Sequence, residues 1–203
     1  MGTEVEKKYR VTAGEREALV RRLEEVGGVR EGGEEFEENT LYSGHGLDPR
    51  TRVLRLRRVG GRAVFTFKER GAETANPVKR HREEETEVGD GEALAAILEA
   101  LGYRPALVYE KRRATWRVRA VEVVIDELPF GLFVEIEGEE DDIHEAERLL
   151  RLTDARPEHS TYPDLASRHG RHDGGSVEAR FEGDGQRQTD PERTRDPAGP
   201  HEM

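Results

Sequence analysis

Charged and apolar residues alternate through most of this chain, and that alternation limits what it can fold into. Eight runs carry the pattern, at about residues 3–11, 35–42, 52–58, 62–69, 78–88, 107–118, 120–126 and 132–138. Successive strand side chains point to opposite faces, so each run reads as a strand with one ionic and one apolar face. Helical spacing interrupts them at about 14–26, 91–101 and 141–152, with a short fourth pattern near 162–168. The first helix stops at Gly27 and Gly28, and the third opens on Asp141 and Asp142, which suit the positive end of a helix dipole. Gly60 and Gly61, between two strand patterns, signal a hairpin.

Two architectures fit. One is an open antiparallel sheet with helices on its apolar face and water on its ionic face. The other closes the sheet, with charges inward and apolar faces outward beneath the helices. The kinds of charge favour closure: a merely solvated face would carry more Ser, Thr, Gln and Asn than these runs do. Both remain open on the pattern, and both are α+β, with antiparallel strands and helices packed on their apolar face. Trp116 alternates out of phase with Lys111 and Arg113 and is expected in the core beneath a helix.

The ionic face has a definite inventory. Its cations are Lys8, Arg55, Arg57, Lys68, Arg80, Arg82, Lys111 and Arg113; its anions are Glu4, Glu6, Glu84, Asp126, Glu135 and Glu137. Arginine forks bind phosphate oxygens bidentately and stay charged when buried. Carboxylates two residues apart on a strand, as in Glu4 and Glu6 or Glu135 and Glu137, can converge on a hard divalent cation. So many cations exceed the needs of one phosphate, and a di- or triphosphate with its Mg2+ or Mn2+ is the natural guest.

Composition excludes other classes. The 203 residues carry a net charge of -11 and no cysteine, so there is no disulfide framework, thiolate metal site or cysteine nucleophile. No apolar run is long enough to cross a membrane, no export signal is evident, and a cytoplasmic protein is expected. The acidic balance argues against nucleic acid as a partner. Phosphate-loop and dinucleotide motifs are absent, and the histidines show no paired helical spacing. Residues 170–203 are rich in Gly, Pro and charge, and are expected to be a disordered tail on a domain of residues 1–169. On that reading, deleting the tail leaves turnover and stability nearly unchanged.

The motifs, taken in order, resemble the CYTH superfamily of triphosphate tunnel metalloenzymes, which includes class IV adenylate cyclases, thiamine triphosphatases and inorganic triphosphatases. The resemblance starts at Glu4-Val5-Glu6-Lys7-Lys8 and continues through Leu54-Arg55-Leu56-Arg57, Thr66-Phe67-Lys68 and Arg82-Glu83-Glu84. It then runs through Lys111-Arg112-Arg113, Ile125-Asp126 and the segment from Gly131 to Glu137, and closes at Thr161-Tyr162 with Leu165. The resemblance implies an α+β fold, an eight-stranded antiparallel closed β-barrel, or tunnel, with a charged lumen and helices packed outside, that binds a triphosphate with Mg2+ or Mn2+. Glu4, Glu6, Glu135 and Glu137 would be its main metal carboxylates, Asp126 and Glu84 adjuncts, and Lys8, Glu4 and Glu6 the catalytic group. Lys8, Arg55, Arg57, Lys68, Arg82, Lys111 and Arg113 would hold phosphates, and Arg80 joins them by alternation. Where many members carry a Tyr-Phe-Asp-type sequence after the second strand, this chain has Leu41-Tyr42-Ser43-Gly44, a difference at the rim that bears on selectivity. The expected partner is a small-molecule triphosphate bound by a monomer or homodimer. Hydrolysis is the favoured chemistry, since cyclisation of ATP needs a purine pocket for which no motif is seen. Adenylate cyclase and a non-catalytic polyphosphate-binding module are the alternatives.

Overall fold

A computed structural model describes residues 2–48, 51–70 and 79–182; the side chains of residues 2–4, 70 and 79–81 lie outside that description. The strands are β1 (Gly2–Val11), β2 (Val29–Ser43), β3 (Arg52–Val59), β4 (Arg62–Arg70), β5 (Lys79–Val88), β6 (Arg104–Val118), β7 (Val121–Leu128), β8 (Gly131–Glu137), β9 (Arg171–Asp173) and β10 (Ser176–Ala179). The helices are α1 (Ala13–Glu25), α2 (Gly91–Ala100), α3 (Glu140–Leu150) and α4 (Tyr162–His169). Pairing runs β2–β3–β4–β5–β1–β8–β7–β6, antiparallel throughout, and β6 also pairs antiparallel with β2. Each of these eight strands therefore has a partner on both sides.

Local chemistry sets the boundaries. Thr12 caps α1 through its hydroxyl, which accepts from the Glu15 amide, while the Glu15 carboxylate accepts from the Thr12 amide at 2.7 Å. The helix ends at Gly27, with φ +77, and a Cβ on Gly28 would come within 2.9 Å of the Leu23 carbonyl oxygen. Thr161 and Asp164 form the same reciprocal cap on α4. Gly60 and Gly61 both have positive φ, as the tight hairpin between β3 and β4 requires.

The apolar faces pack outward against the helices. Val5, Tyr9, Trp116, Val123, Ile125, Val134 and Ile136 form one cluster with Leu19 and Leu23 of α1 and Ile143, Ala146 and Leu150 of α3. Trp116 lies in this core, as its phase implies. Leu56, Ala63 and Tyr42 pack with Leu98 of α2. Tyr109, Phe133 and Leu107 instead share the inward parity of Lys111 and Glu135, and pack at one end of the cavity with Tyr162, Leu165 and Ala166 of α4.

The expected boundary at residue 169 is too early. Residues 171–173 and 176–179 form β9 and β10, and β10 pairs parallel with β6 at Leu107–Tyr109. Ala179 is buried in the α4 cluster, with Val177 packed against it. Composition missed this arm because a short strand added to an existing sheet needs few apolar residues of its own. The remaining part of the expected tail, residues 183–203, lies outside the described residues.

Candidate active site

Alternation on seven strands directs polar side chains into one cavity of about 480 Å³. Glu6 and Lys8 come from β1, Arg55 and Arg57 from β3, Thr66 and Lys68 from β4, and Glu83 and Glu85 from β5. Lys111 and Arg113 of β6, Glu122 of β7 and Glu135 and Glu137 of β8 complete the ionic wall. Thr161, Tyr162 and Pro163, at the start of α4, also line it.

One side of the cavity is organised around Arg113. Its Nε donates to Asp126 Oδ1 at 2.8 Å, and its Nη2 donates to Asp126 Oδ2 at 2.6 Å and to Glu135 Oε2 at 2.8 Å. The Tyr162 hydroxyl donates to Asp126 Oδ2 at 2.7 Å, so the fully buried Asp126 is saturated by its neighbours. Lys8 Nζ lies 3.1 Å from Glu135 Oε1 and 3.8 Å from the centre of the Tyr162 ring. Burial works against a charge on Lys8, but Glu135 and Glu6 outweigh it and raise its pKa. Burial likewise opposes ionisation of Glu135, yet Lys8, Arg113 and Lys111 hold it well below the usual carboxylate range. Lys111 behaves oppositely: burial and the adjacent Arg113 lower it, against Asp126 and Glu37.

The other side is formed by β3, β4 and β5. Arg57 donates to the Glu85 carboxylate at 3.0 Å, Lys68 Nζ lies 3.2 Å from Glu83, and Arg55 donates to the Thr66 hydroxyl at 3.3 Å. The Nε atoms of Arg55 and Arg57 are buried and have no hydrogen-bond partner. A buried donor left unpaired is costly, and the two arginines that carry these donors line the cavity.

Lys8, Arg55, Arg57, Lys68, Lys111, Arg113, Glu6, Glu135 and Glu137 are thus brought together around one space. Asp126 lies behind it as the anchor of Arg113. Arg82 and Glu84 do not reach the cavity: they are 50% and 44% exposed, 3.5 Å from each other, on the outer face of β5. The expected phase of β5 is off by one residue. Thr66 pairs with Glu85 and Lys68 with Glu83, which turns the odd-numbered residues inward. Arg80 pairs in register with Val5; its side chain, like that of Glu4, lies outside the described residues.

Sequence reasoning also missed Glu37. It is 2% exposed, its Oε2 lies 3.2 Å from Lys111 Nζ, and burial, which would raise its pKa, is overcome by Lys111, Arg113, Arg57 and Arg55, which bring it to about 2. The alternation of Glu35, Glu37 and Asn39 along β2 was the available signal. Glu83, Glu85 and Glu122 were missed too.

A divalent cation can be tested against the donors present. Glu6 pairs in register with Glu137, and Glu137 with Glu122, so three carboxylates form a row across β1, β8 and β7. Among the described residues no three potential ligands form a preformed metal cage. The row supplies only oxygen donors, which suits a hard cation completing its shell with substrate phosphates and water. The residues fit such an ion.

Comparison with known proteins agrees with this geometry. The CYTH domain family matches residues 2–167. The chain belongs to the CYTH family. Among solved structures, the CYTH fold here is similar to the PH1012 protein of Pyrococcus horikoshii, at 25% identity and a TM-score of 0.69, covering 80% of this chain and 98% of that one. An adenylate cyclase candidate from Vibrio parahaemolyticus shares 23% identity at a TM-score of 0.65, with 81% and 97% covered. The Hippeastrum protein HpAC1, a candidate adenylyl cyclase described as having a dominant triphosphatase activity, shares 18% identity at a TM-score of 0.60, with 80% and 93% covered. The last two likenesses concern the fold alone. No curated protein matches the chain. Among the described residues, no helix is long and apolar enough to cross a membrane.

Proposed function

We propose that this CYTH protein is a divalent-metal-dependent hydrolase of a triphosphate, inorganic or organic, that holds the phosphate chain in a closed tunnel. CYTH proteins are triphosphatases or cyclases and depend on metal. The pairing of β6 with β2, which gives each of the eight strands two partners, supports the tunnel. The observation that carries the function is the convergence of Lys8, Arg55, Arg57, Lys68, Lys111 and Arg113 on that one cavity. Charge balance supports the metal. Among the described residues, six lining cations, namely Lys8, Arg55, Arg57, Lys68, Lys111 and Arg113, face six lining carboxylates, namely Glu6, Glu83, Glu85, Glu122, Glu135 and Glu137. A polyanion entering a wall balanced in this way has to bring compensating charge with it.

Arg55 and Arg57 grip phosphate oxygens from one wall, and Lys111, Arg113 and Lys8 from the other. Asp126 and Tyr162 fix the Arg113 guanidinium, so that little of its position is lost on binding. Glu135 and Glu6 keep Lys8 protonated for its contact with phosphate. Glu6, Glu137 and Glu122 would hold the cation, with Glu4 and Glu135 beside them on the same strands. When bound, the ion neutralises phosphate charge and lowers the pKa of a coordinated water. The bond broken is the phosphoanhydride to the terminal phosphorus. Hydrolysis is favoured over cyclisation because, among the described residues, the lining beyond the charges is limited to Val53, Thr66, Tyr109, Thr161, Tyr162 and Pro163. That set leaves little surface to stack and orient a purine.

The test is a product assay with Mg2+ or Mn2+ on inorganic triphosphate, ATP and thiamine triphosphate, scoring phosphate, pyrophosphate and cyclic AMP separately. Phosphate release that chelator abolishes, and that Glu137→Gln cuts at least tenfold without loss of fold, is expected. Cyclic AMP as the main product would establish the cyclase instead. Turnover unaffected by excess chelator would reject the metal-dependent reading.

A further inference from the structure

Glu38 of β2 and Glu110 of β6 are direct cross-strand partners on the face of the β2–β6 seam that looks away from the cavity. Like charges in such positions repel, and Glu110 is buried, which makes an uncompensated carboxylate costly there. The compensation comes from outside the CYTH domain, whose match ends at residue 167. Arg180, which follows β10, donates from one Nη to Glu38 Oε2 at 2.7 Å and to Glu110 Oε1 at 2.8 Å. The backbone amide of Phe181 donates to the other oxygen, Glu110 Oε2, at 2.8 Å. The Phe181 ring lies 4.1 Å from the Arg112 guanidinium and 6.4 Å from the Phe36 ring, touching β6 and β2 together. Glu38 has a second cation in Arg58 at 3.4 Å, whereas Arg180 is the cation paired with Glu110 among the described residues.

The inner face of the same seam carries part of the cavity wall. Glu37 and Lys111 are cross-strand partners there, and Arg113 follows two residues along β6. The spacing and rotation of β2 against β6 therefore place both the outer carboxylates and the inner cations. We propose that Arg180 is a positioning residue for the cavity. By neutralising the opposed Glu38 and Glu110, the C-terminal arm holds the seam at the register that keeps Lys111 and Arg113 aimed at bound phosphate. This role rests on the phosphate-binding reading of the cavity, and its mechanism is charge compensation at a seam rather than contact with substrate.

The experiment uses the full chain with Arg180→Ala and with Arg180→Ala/Glu110→Gln, which removes the buried charge that Arg180 serves. Amide hydrogen exchange in residues 37–41 and 107–113 reports the seam, and the Kd for inorganic triphosphate in Mg2+ reports the cavity. Arg180→Ala is expected to speed exchange in both segments about tenfold or more and to raise Kd several-fold. The double variant is expected to recover most of both, which loss of packing alone would not allow. Unchanged exchange, a loosened seam with unchanged Kd, or losses that Glu110→Gln does not recover would each overturn the proposal. If Arg180→Ala fails to fold, folding of the double variant supports charge compensation, and failure of both overturns it. Should the unmodified protein not bind triphosphate, the phosphate-binding reading falls, and exchange at the Arg113 guanidinium Nε–H decides whether Arg180 positions the cavity wall. Faster exchange there in Arg180→Ala, recovered by Glu110→Gln, supports it, and no change overturns it.

Discussion

Arg57 brings the chemistry of the cavity down to one side chain. Its Nη2 is engaged by Glu85 while its buried Nε has no partner, so its fork is half used within the protein. Arg57→Ala should cut kcat/KM for inorganic triphosphate roughly 10- to 100-fold, because a hydrogen bond to a charged group contributes about 1.5–3 kcal/mol. Arg57→Lys should also be clearly impaired, since a point charge cannot replace a planar fork. Arg21→Ala and Arg148→Ala, at exposed helix positions, should change it little. Equal small losses at all these positions would mean that the cavity arginines do not touch substrate. Residues such as Arg57 were legible in the sequence because Leu54 and Leu56 on β3, and Ala114, Trp116 and Val118 on β6, fix the phase of their strands. β5 has no such set: in Lys79–Val88 charged residues occupy both parities, so alternation alone could not tell Glu83 and Glu85 from Arg82 and Glu84. Pairing with Thr66 and Lys68 settles it, and pairing is a tertiary fact.

At the scale of elements, the eight strands β1 to β8 and the four helices were foreseeable, because nearly all carry their own period or cap. β9 and β10 carry neither. Their stability is borrowed from β6, from the α4 cluster and from two carboxylates far away in sequence. Removing residues 171–203 should therefore destabilise the protein by about 2–3 kcal/mol, from the burial lost at Val177 and Ala179 and the charge-assisted bonds of Arg180. The measurement is urea unfolding of the truncated and full chains, compared at their midpoints with a common slope. Equal midpoints would restore the expectation that everything beyond residue 169 is dispensable. Removing only 183–203 leaves every one of these contacts in place and should shift the midpoint little.

Across the whole molecule the strands direct one set of charges into the cavity, and that has a consequence for stability against pH. Glu37 is almost fully buried, yet Lys111, Arg113, Arg57 and Arg55 outweigh burial and bring its pKa from the usual 4.5 to about 2. Unfolded, Glu37 takes up its proton near 4.5; folded, it resists until near 2. A group depressed in this way contributes stability that is fully present above the unfolded value and is lost as pH falls through the folded one. For a gap of this size the contribution is about 3 kcal/mol. Glu135, held low by Lys8, Arg113 and Lys111 against its own burial, adds to the same acid limb. Glu37→Gln should therefore be less stable than the unmodified protein at pH 7, where it leaves the buried Lys111 without its nearest carboxylate. The difference should shrink steadily as pH is lowered from about 4.5 towards 2, because protonation then does to the unmodified protein what the substitution has already done to the variant. Urea unfolding of both proteins at pH 7, 4.5 and 3 measures it. A difference that stays constant across that range would show that Glu37 contributes by shape and hydrogen bonding rather than by charge, and the view of the interior as a balanced ionic lattice would fail at its most buried acid on β2.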